Sequence, residues 1–501
     1  MGDALTALKS RLADVTSLSQ INALLEWDLQ TQMPPGGAEA RARHMSVQSK
    51  LVHEMFTADE TGRLIEAASA EVSGADYDSD DASLLRVARR DYERERKVPA
   101  DLVAEVTRTT TLAHDIWAKA RANNDFKSFM PSLQRIIELK IRVAECYGYT
   151  DHIYDALLDT YEPGLKTADV TAMFAGLRTE LVPLVRAIGE RVDAVDDSVL
   201  HQDFDPERQR QFAELVIRRF GYDFSRGRQD RAVHPFATNF SRNDVRITTR
   251  FDPRWLNPAL FGTLHEAGHG MYEQGIGEEL EGNILAGGTS LGVHESQSRL
   301  WENLIGRSRG FWTFFFPILQ TYFPDQLGRV DLETFYRAIN RVKPSFIRVE
   351  ADEATYNLHI MMRFELEVDL LAGQLKVKDL PDAWNARSQT YLGIVPPTDT
   401  LGVLQDVHWS SGLIGYFPTY SIGNLLSAQL FEKAVEQNPT IPEEIRRGEF
   451  ATLLHWLREN IHKHGRKYEP PELIRRATGE PLQSRSYMRY LKSKYGEIYG
   501  V

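Results

Sequence analysis

Apolar residues recur three and four positions apart along most of this chain. Leu5, Leu8, Leu12 and Val15 do so near the start, with charged residues between them, and the spacing predicts a helix with one buried face. The segments LIEAASAEV (64–72), PSLQRIIELKIRVAECYGY (131–149) and FAGLRTELVPLVRAIGERVDAV (174–195) keep that period and are rich in strong helix formers. Two Asp-rich stretches, SGADYDSDDAS (73–83) and DAVDDSVLHQDFDPE (193–207), break the pattern and read as exposed loops. One region changes period altogether. In VHPFATNFSRNDVRITTRF (233–251), Val245 and Ile247 alternate with Arg246 and Thr248, and SRND is a turn signal, so a short β-hairpin is expected. The pattern as a whole predicts a mainly α protein with a small strand element, and no linker composition supports a cut into domains.

Directly after the hairpin comes LHEAGHGMYEQG (264–275). Asn257-Pro258 is a helix start, an N-cap residue followed by proline at the first helical position, and Gly275 is a stop signal. Between them His265 and His269 share a face one turn apart, a spacing that lets two imidazoles reach one ion. Glu266 is turned away from that pair yet close enough to touch a water on the metal. The chemistry needs this arrangement, because zinc acidifies the water and the carboxylate takes its proton. Gly268 and Gly270 are poor helix formers, and their expected use is close approach of another backbone.

Two histidines do not complete a catalytic zinc site; a third protein ligand is required. Position 275, where an extended motif would place a third histidine, is glycine. The next helix, VHESQSRLWENLIG (293–306), has Trp301, Leu304 and Ile305 for a buried face and offers Glu295, with His294 as rival on the same helix. Glu273, Glu278, Glu279 and Glu281 read as solvated. Spacing alone leaves the third ligand open.

Charge and composition narrow the classes. Lys+Arg number 59 and Asp+Glu 71, a net −12 with no basic block, which argues against nucleic acid and anionic membrane as partners. Cys146 is the single cysteine, so no internal disulfide forms; this fits a reducing compartment. A structural zinc site, which closes with four ligands and usually cysteines, is disfavoured by the same count. No apolar h-region opens the chain and no apolar run is long enough to span a bilayer, so a cytoplasmic location is expected.

The motifs in order resemble the carboxypeptidase Taq family of zinc metallocarboxypeptidases. HPF (234–236), DVRIT (244–248), HEAGH (265–269), HESQSR (294–299), IRVEAD (347–352) and GVLQDVHW (402–409) match that family's blocks, as do LLEWDLQTQMPPGGAEAR (24–41) and the C-terminal YLKSKYGEIYGV. The resemblance implies a helical zincin-like fold with a long substrate groove, an N-terminal helical lobe over 1–230 covering it, a catalytic lobe over 231–501, one peptidase domain in all, and a homodimer. It implies one zinc per chain on His265, His269 and Glu295, with cobalt able to substitute, and Glu266 as general base. The implied activity is removal of single C-terminal residues from peptides, with broad side-chain tolerance and poor acceptance of proline.

Further roles are assigned on that basis. The peptide adds a strand along the hairpin edge. His408 and Tyr420 are the candidates to stabilise the oxyanion. An exopeptidase must recognise a free carboxylate, which a guanidinium does best, and Arg348 in the IRVEAD block is the candidate. Asp352, one turn on, is expected to hold Arg348 in place. His234 lines the groove or closes a turn. Arg246 and Thr248 share one side of a strand, facing the groove or an ion-pair network, with Asp244 as a partner for Arg246 or for a residue on the HEAGH helix. An oligopeptidase cutting inside short peptides with the same metal machinery is the rival enzyme; a helical binding protein on the same scaffold is the rival without catalysis.

Overall fold

The computed structural model describes residues 2–232 and 235–501. It is mainly helical with one three-stranded sheet. The described residues gather into two compact units, and neither follows chain order. One comprises Met1–Arg96, Asp197–Ile339 and Ser427–Leu482; the other comprises Lys97–Asp196, Asn340–Leu426 and Gln483–Val501. Among the described residues no helix is long and apolar enough to cross a membrane.

In the first unit the opening period behaves as predicted. Helix Asp3–Thr31 buries Leu5, Leu8, Leu12 and Val15. The three leucines pack with Ile65, Ala68, Leu84 and Ala88 of the next helices and with Ile276, Leu280 and Leu285. Each large aliphatic buried this way contributes about 1.5–3 kcal/mol. A second, aromatic core joins Phe220, Trp301, Phe311 and Phe450, and Trp301, Leu304 and Ile305 form the buried face foreseen for their helix.

The sheet also sits in this unit. Strands β1 (Gly227–Arg231), β2 (Ala237–Ser241) and β3 (Asp244–Thr249) take the order β1-β3-β2. The predicted hairpin is β2–β3, antiparallel and turning at Arg242-Asn243. The parallel neighbour β1 is additional: GRQDR has no apolar alternation to announce it. Val245 and Ile247 are fully buried toward the HEAGH helix, where Gly270 makes room for Ile247 and the Tyr222 ring.

The second unit packs helix Glu353–Leu371 against Thr167–Gly189 and Leu380–Leu392, with Phe364 meeting Tyr154 and Phe174 edge-on. The Asp-rich stretches are less loop-like than expected. Ser79 caps helix Asp80–Glu95, so the last four residues of the first stretch are helical. The second stretch buries Val195, Leu200 and Phe204 and ends in helix Pro206–Phe220. Short-range acidity outweighed the sparse apolar anchors in the sequence reading.

Candidate metal centre

The HEAGH helix spans Asn257–Gln274, within a residue of the predicted bounds. Gly275 ends it without a left-handed turn; its φ is −90°. Glycine is needed there for space, since a Cβ would sit 2.5 Å from the His462 ring. The partner helix spans Leu291–Arg299, capped by Ser290, and runs on into a π-helical turn over Leu300–Ile305. At Gly268 a Cβ would lie 2.6 Å from the Ser298 Cα and 2.7 Å from the Gln297 carbonyl oxygen, so the two backbones meet where only glycine fits.

That close approach sets three rungs. Glu302 faces His265, Glu295 faces both imidazoles, and His294 faces Glu273. Numbers rise on one helix as they fall on the other, so the pair is antiparallel. The Glu295 Oε2 stands 3.6 Å from His265 Nε2 and 3.5 Å from His269 Nε2. One ligand atom from each residue lies within 4.8 Å of the others, the one such group of three among the described residues. Of the candidates that spacing left open for the third position, Glu295 is the one brought beside both imidazoles. The rival His294 turns to the far nitrogen of His269 instead.

The hydrogen bonds behind the ligands assign their tautomers. His265 donates from Nδ1 to Glu302 Oε2 at 2.9 Å, leaving the Nε2 lone pair toward Glu295. His269 donates from Nδ1 to His294 Nδ1 at 2.6 Å, and His294 donates from Nε2 to Glu273 Oε1 at 2.6 Å. The second Glu273 oxygen accepts from Asn239 of β2 at 2.8 Å. Arg299 donates to Glu295 at 2.6 Å and to Glu302 at 3.2 Å, and Arg307 approaches Glu302 at 3.5 Å. Glu273, expected to be solvated, is thus buried and carries the outer end of a two-ring relay.

The electrostatics follow from this packing. Burial would lower the pKa of His265, but the carboxylates of Glu295 and Glu302 outweigh it and the pKa is raised. For His269 burial wins, and its pKa falls to about 3, so it is neutral and ready to ligate. Burial opposes the charge on Glu295, yet Arg299 and the two imidazoles hold its pKa well below the usual range. Glu302 is held at about 2 against burial by Arg299 and His265. Glu266 is pushed up to about 7, chiefly by burial. Four carboxylates (Glu266, Glu273, Glu295 and Glu302) meet two guanidiniums (Arg299 and Arg307) here. The excess of carboxylates over guanidiniums, the neutral His269 imidazole and the His–His–Glu donor set all fit a divalent cation.

Neither Glu302 nor the Glu273 relay was picked out from the sequence, although a signal was there. His265, His269 and Glu273 stand at i, i+4 and i+8, and Glu295, Arg299 and Glu302 at i, i+4 and i+7, so each set forms one stripe.

The remaining candidates divide. Arg246 is on β3, chelated by both oxygens of Asp244 at 2.8 Å and stacked 4.3 Å from the Trp27 ring centre. His234 lies outside the described residues. The other four are in the second unit. Arg348 is buried; its Nε donates to Asp406 at 2.9 Å and its Nη1 to Tyr356 at 2.8 Å. Its Nη2 has no hydrogen-bond partner among the described residues. Tyr420 and His408 bond to one another at 3.1 Å, and the Arg348 guanidinium lies 5.0 Å from the Tyr420 ring centre. Asp352 is corrected. It caps helix Glu353–Leu371, accepting from the amides of Ala354 and Thr355 and from the Thr355 hydroxyl, and also from Lys343 N. With both oxygens taken by its own neighbourhood it neither holds Arg348 nor is free for a substrate; Asp406 holds Arg348.

Known proteins carry the same architecture. A family model described as carboxypeptidase Taq (M32) metallopeptidase matches residues 7–495. Carboxypeptidase 1 of Bacillus subtilis is 40% identical over 488 residues, 97% of this chain and 97% of that protein. Thermostable carboxypeptidase 1 of Thermus thermophilus is 42% identical over 495 residues, 96% of each. The crystal structure of an M32 carboxypeptidase from Deinococcus radiodurans R1 superposes with a TM-score of 0.96 at 44% identity, covering 100% of both chains.

Proposed function

The chain belongs to the carboxypeptidase Taq (M32) metallopeptidase family, and from that premise we propose a zinc-dependent metallocarboxypeptidase that releases single C-terminal amino acids from peptides. Specificity is broad and proline is poorly accepted. The observation that carries this reading is the convergence of His265, His269 and Glu295, with tautomers already set for ligation. One zinc ion per chain, replaceable by cobalt, would be held by these three residues and would supply Lewis acidity toward a water and the scissile carbonyl.

The other steps belong to the protein. Glu266 takes the proton of the attacking water and returns it to the leaving amine, a task suited to a carboxyl whose pKa burial has raised to about 7. Arg348 receives the terminal carboxylate: Asp406 and Tyr356 fix its plane, and its Nη2 still has hydrogens to give. His408 and Tyr420 donate to the oxyanion. Arg246, oriented by Asp244, and His234 contact the peptide on the hairpin side. The net −12 charge fits peptide rather than nucleic acid as partner, and the single cysteine fits the cytoplasm. The resemblance to the family supports a homodimer.

The test is release of free amino acid from an N-blocked dipeptide, beside its C-terminal amide. Chelation should abolish release, and zinc or cobalt should restore it. Glu266→Gln should retain one metal per chain and lose about 10²–10⁴-fold in kcat. Unchanged turnover by Glu266→Gln, or hydrolysis of the amide as fast as the acid, would overturn the reading.

A further inference from the structure

Within the second unit, helix Glu353–Leu371 turns one stripe toward the non-helical segment between helices Leu380–Leu392 and Pro418–Gln437. The residues on that stripe are Arg363 and Glu367, four apart. The segment carries Gln405, Asp406 and His408. Its upstream part is gripped by Arg363, which donates to Asp406 Oδ2 at 2.7 Å and to Gln405 Oε1 at 2.7 Å.

Its downstream part is gripped by Glu367. Oε1 accepts from the Trp409 indole at 2.9 Å; Oε2 accepts from the Gly415 amide at 3.0 Å and from the Tyr154 hydroxyl at 2.8 Å. Gly415 reaches that place only as glycine. Its φ is +95°, and a Cβ would lie 2.9 Å from the Leu157 carbonyl carbon. Glu367 is fully buried and no cation among the described residues bonds to it, an expensive placement for a carboxylate. Burial raises its pKa to about 7, while the donors from Gly415, Tyr154 and Trp409 pull the other way. An apolar residue would pack this core without that cost, so the three donors are what the carboxylate is there to hold.

We propose that Glu367 is a positioning residue for the carboxypeptidase reaction: by clamping Trp409 and Gly415 it fixes the Asp406–His408 segment, and through it the Arg348 guanidinium and the His408 ring. This rests on the reading that Arg348 and His408 serve the substrate.

Glu367→Gln is the perturbation, because an amide has one acceptor oxygen where the carboxylate has two. If that oxygen faces Gly415, the NH2 meets the Trp409 N–H; if it faces Trp409, the NH2 meets the Gly415 N–H. Either way a donor on the segment is orphaned. The expected loss in kcat/KM for the N-blocked dipeptide is on the order of 10²-fold, the effect of a misplacement near 1 Å. Metal content, read from the other unit, should stay at one per chain. Trp409→Phe removes the opposing donor, so the double variant should be faster than Glu367→Gln alone. Tyr154→Phe removes a bond to Glu367 from outside the segment and should cost less than Trp409→Phe. The inference falls if Glu367→Gln stays within about twofold of the parent, if the double variant shows no rescue, or if Tyr154→Phe costs as much as Trp409→Phe. The Tyr154→Phe and Trp409→Phe comparison decides the matter even if Glu367→Gln does not fold. Arg348→Ala and His408→Ala are measured beside them; parental rates in those two would overturn the underlying reading itself.

Discussion

Replacing His294 isolates the relay behind His269. In the parent, His269 Nδ1–H bonds to His294 at 2.6 Å and His294 bonds to Glu273 at 2.6 Å, both in a partly buried setting. His294→Leu leaves the His269 N–H and one Glu273 oxygen without partners. An orphaned buried polar group costs about 1–3 kcal/mol, but part of that cost falls on the metal-free protein as well. There the His269 proton can move to Nε2, where Glu295 waits at 3.5 Å, and binding must then reverse the shift. The component that reaches the metal is about 1.4–2.7 kcal/mol, or about 10–100-fold in zinc affinity, the usual worth of a supporting partner. His294→Asn keeps an acceptor near the Nδ1 position but cannot reach Glu273, so its loss should lie below about tenfold. The assay is equilibrium competition for zinc against a chromogenic chelator, with urea melts of the metal-free proteins to separate folding from binding. Parental affinity in His294→Leu would refute the relay. So would an Asn variant no better than the Leu variant, because the first link would then contribute nothing.

Three further outcomes follow from the same geometry. Arg348→Lys keeps the charge and loses the planar fork; removing a charge-assisted hydrogen bond worth about 1.5–3 kcal/mol should lower kcat/KM on free-acid substrates by roughly ten- to a hundredfold, with zinc affinity unchanged. Asp352→Ala should cost about 1 kcal/mol of stability in urea, as loss of an N-cap does, and leave kcat/KM at the parental value; a large kinetic defect would restore the substrate role that its capping bonds deny it. Gly268→Ala drives a methyl into the Ser298 and Gln297 backbone and should destabilise by about 1–3 kcal/mol, with weaker zinc binding as the two helices part.

The readable part of the site was whatever lies on one helix or at its ends. His265, Glu266 and His269 declare themselves by spacing, and the hairpin by its change of period. Glu295 was open on spacing, and only packing brings it to the pair: the glycine at 268 lets the second helix close until Glu295 Oε2 stands 3.6 and 3.5 Å from the two imidazoles. β1 was unreadable because GRQDR pairs through its backbone, with no buried side-chain alternation to mark it. The Glu273 and Glu302 carboxylates were passed over because a glutamate among glutamates reads as solvated until a partner stripe is placed opposite it.

Asp352 and Asp406 show where a short-range rule misleads. Arg348 has an aspartate four residues on, and i,i+4 pairing favours it only if one helix contains both. A short 3-10 turn at Arg348–Glu350 ends before Asp352, and the helix that follows starts at Glu353. An aspartate immediately before a helix is claimed by the amides of the first turn, whose unsatisfied N–H groups are fixed in place and adjacent, whereas an ion pair must order two side chains to form. Capping therefore outranks pairing at such a position, and the guanidinium takes its carboxylate from Asp406, 58 residues further along. That distant choice also ties Arg348 to His408, because both are then governed by one segment, and a substitution in that segment is expected to disturb carboxylate recognition and oxyanion stabilisation together rather than one alone.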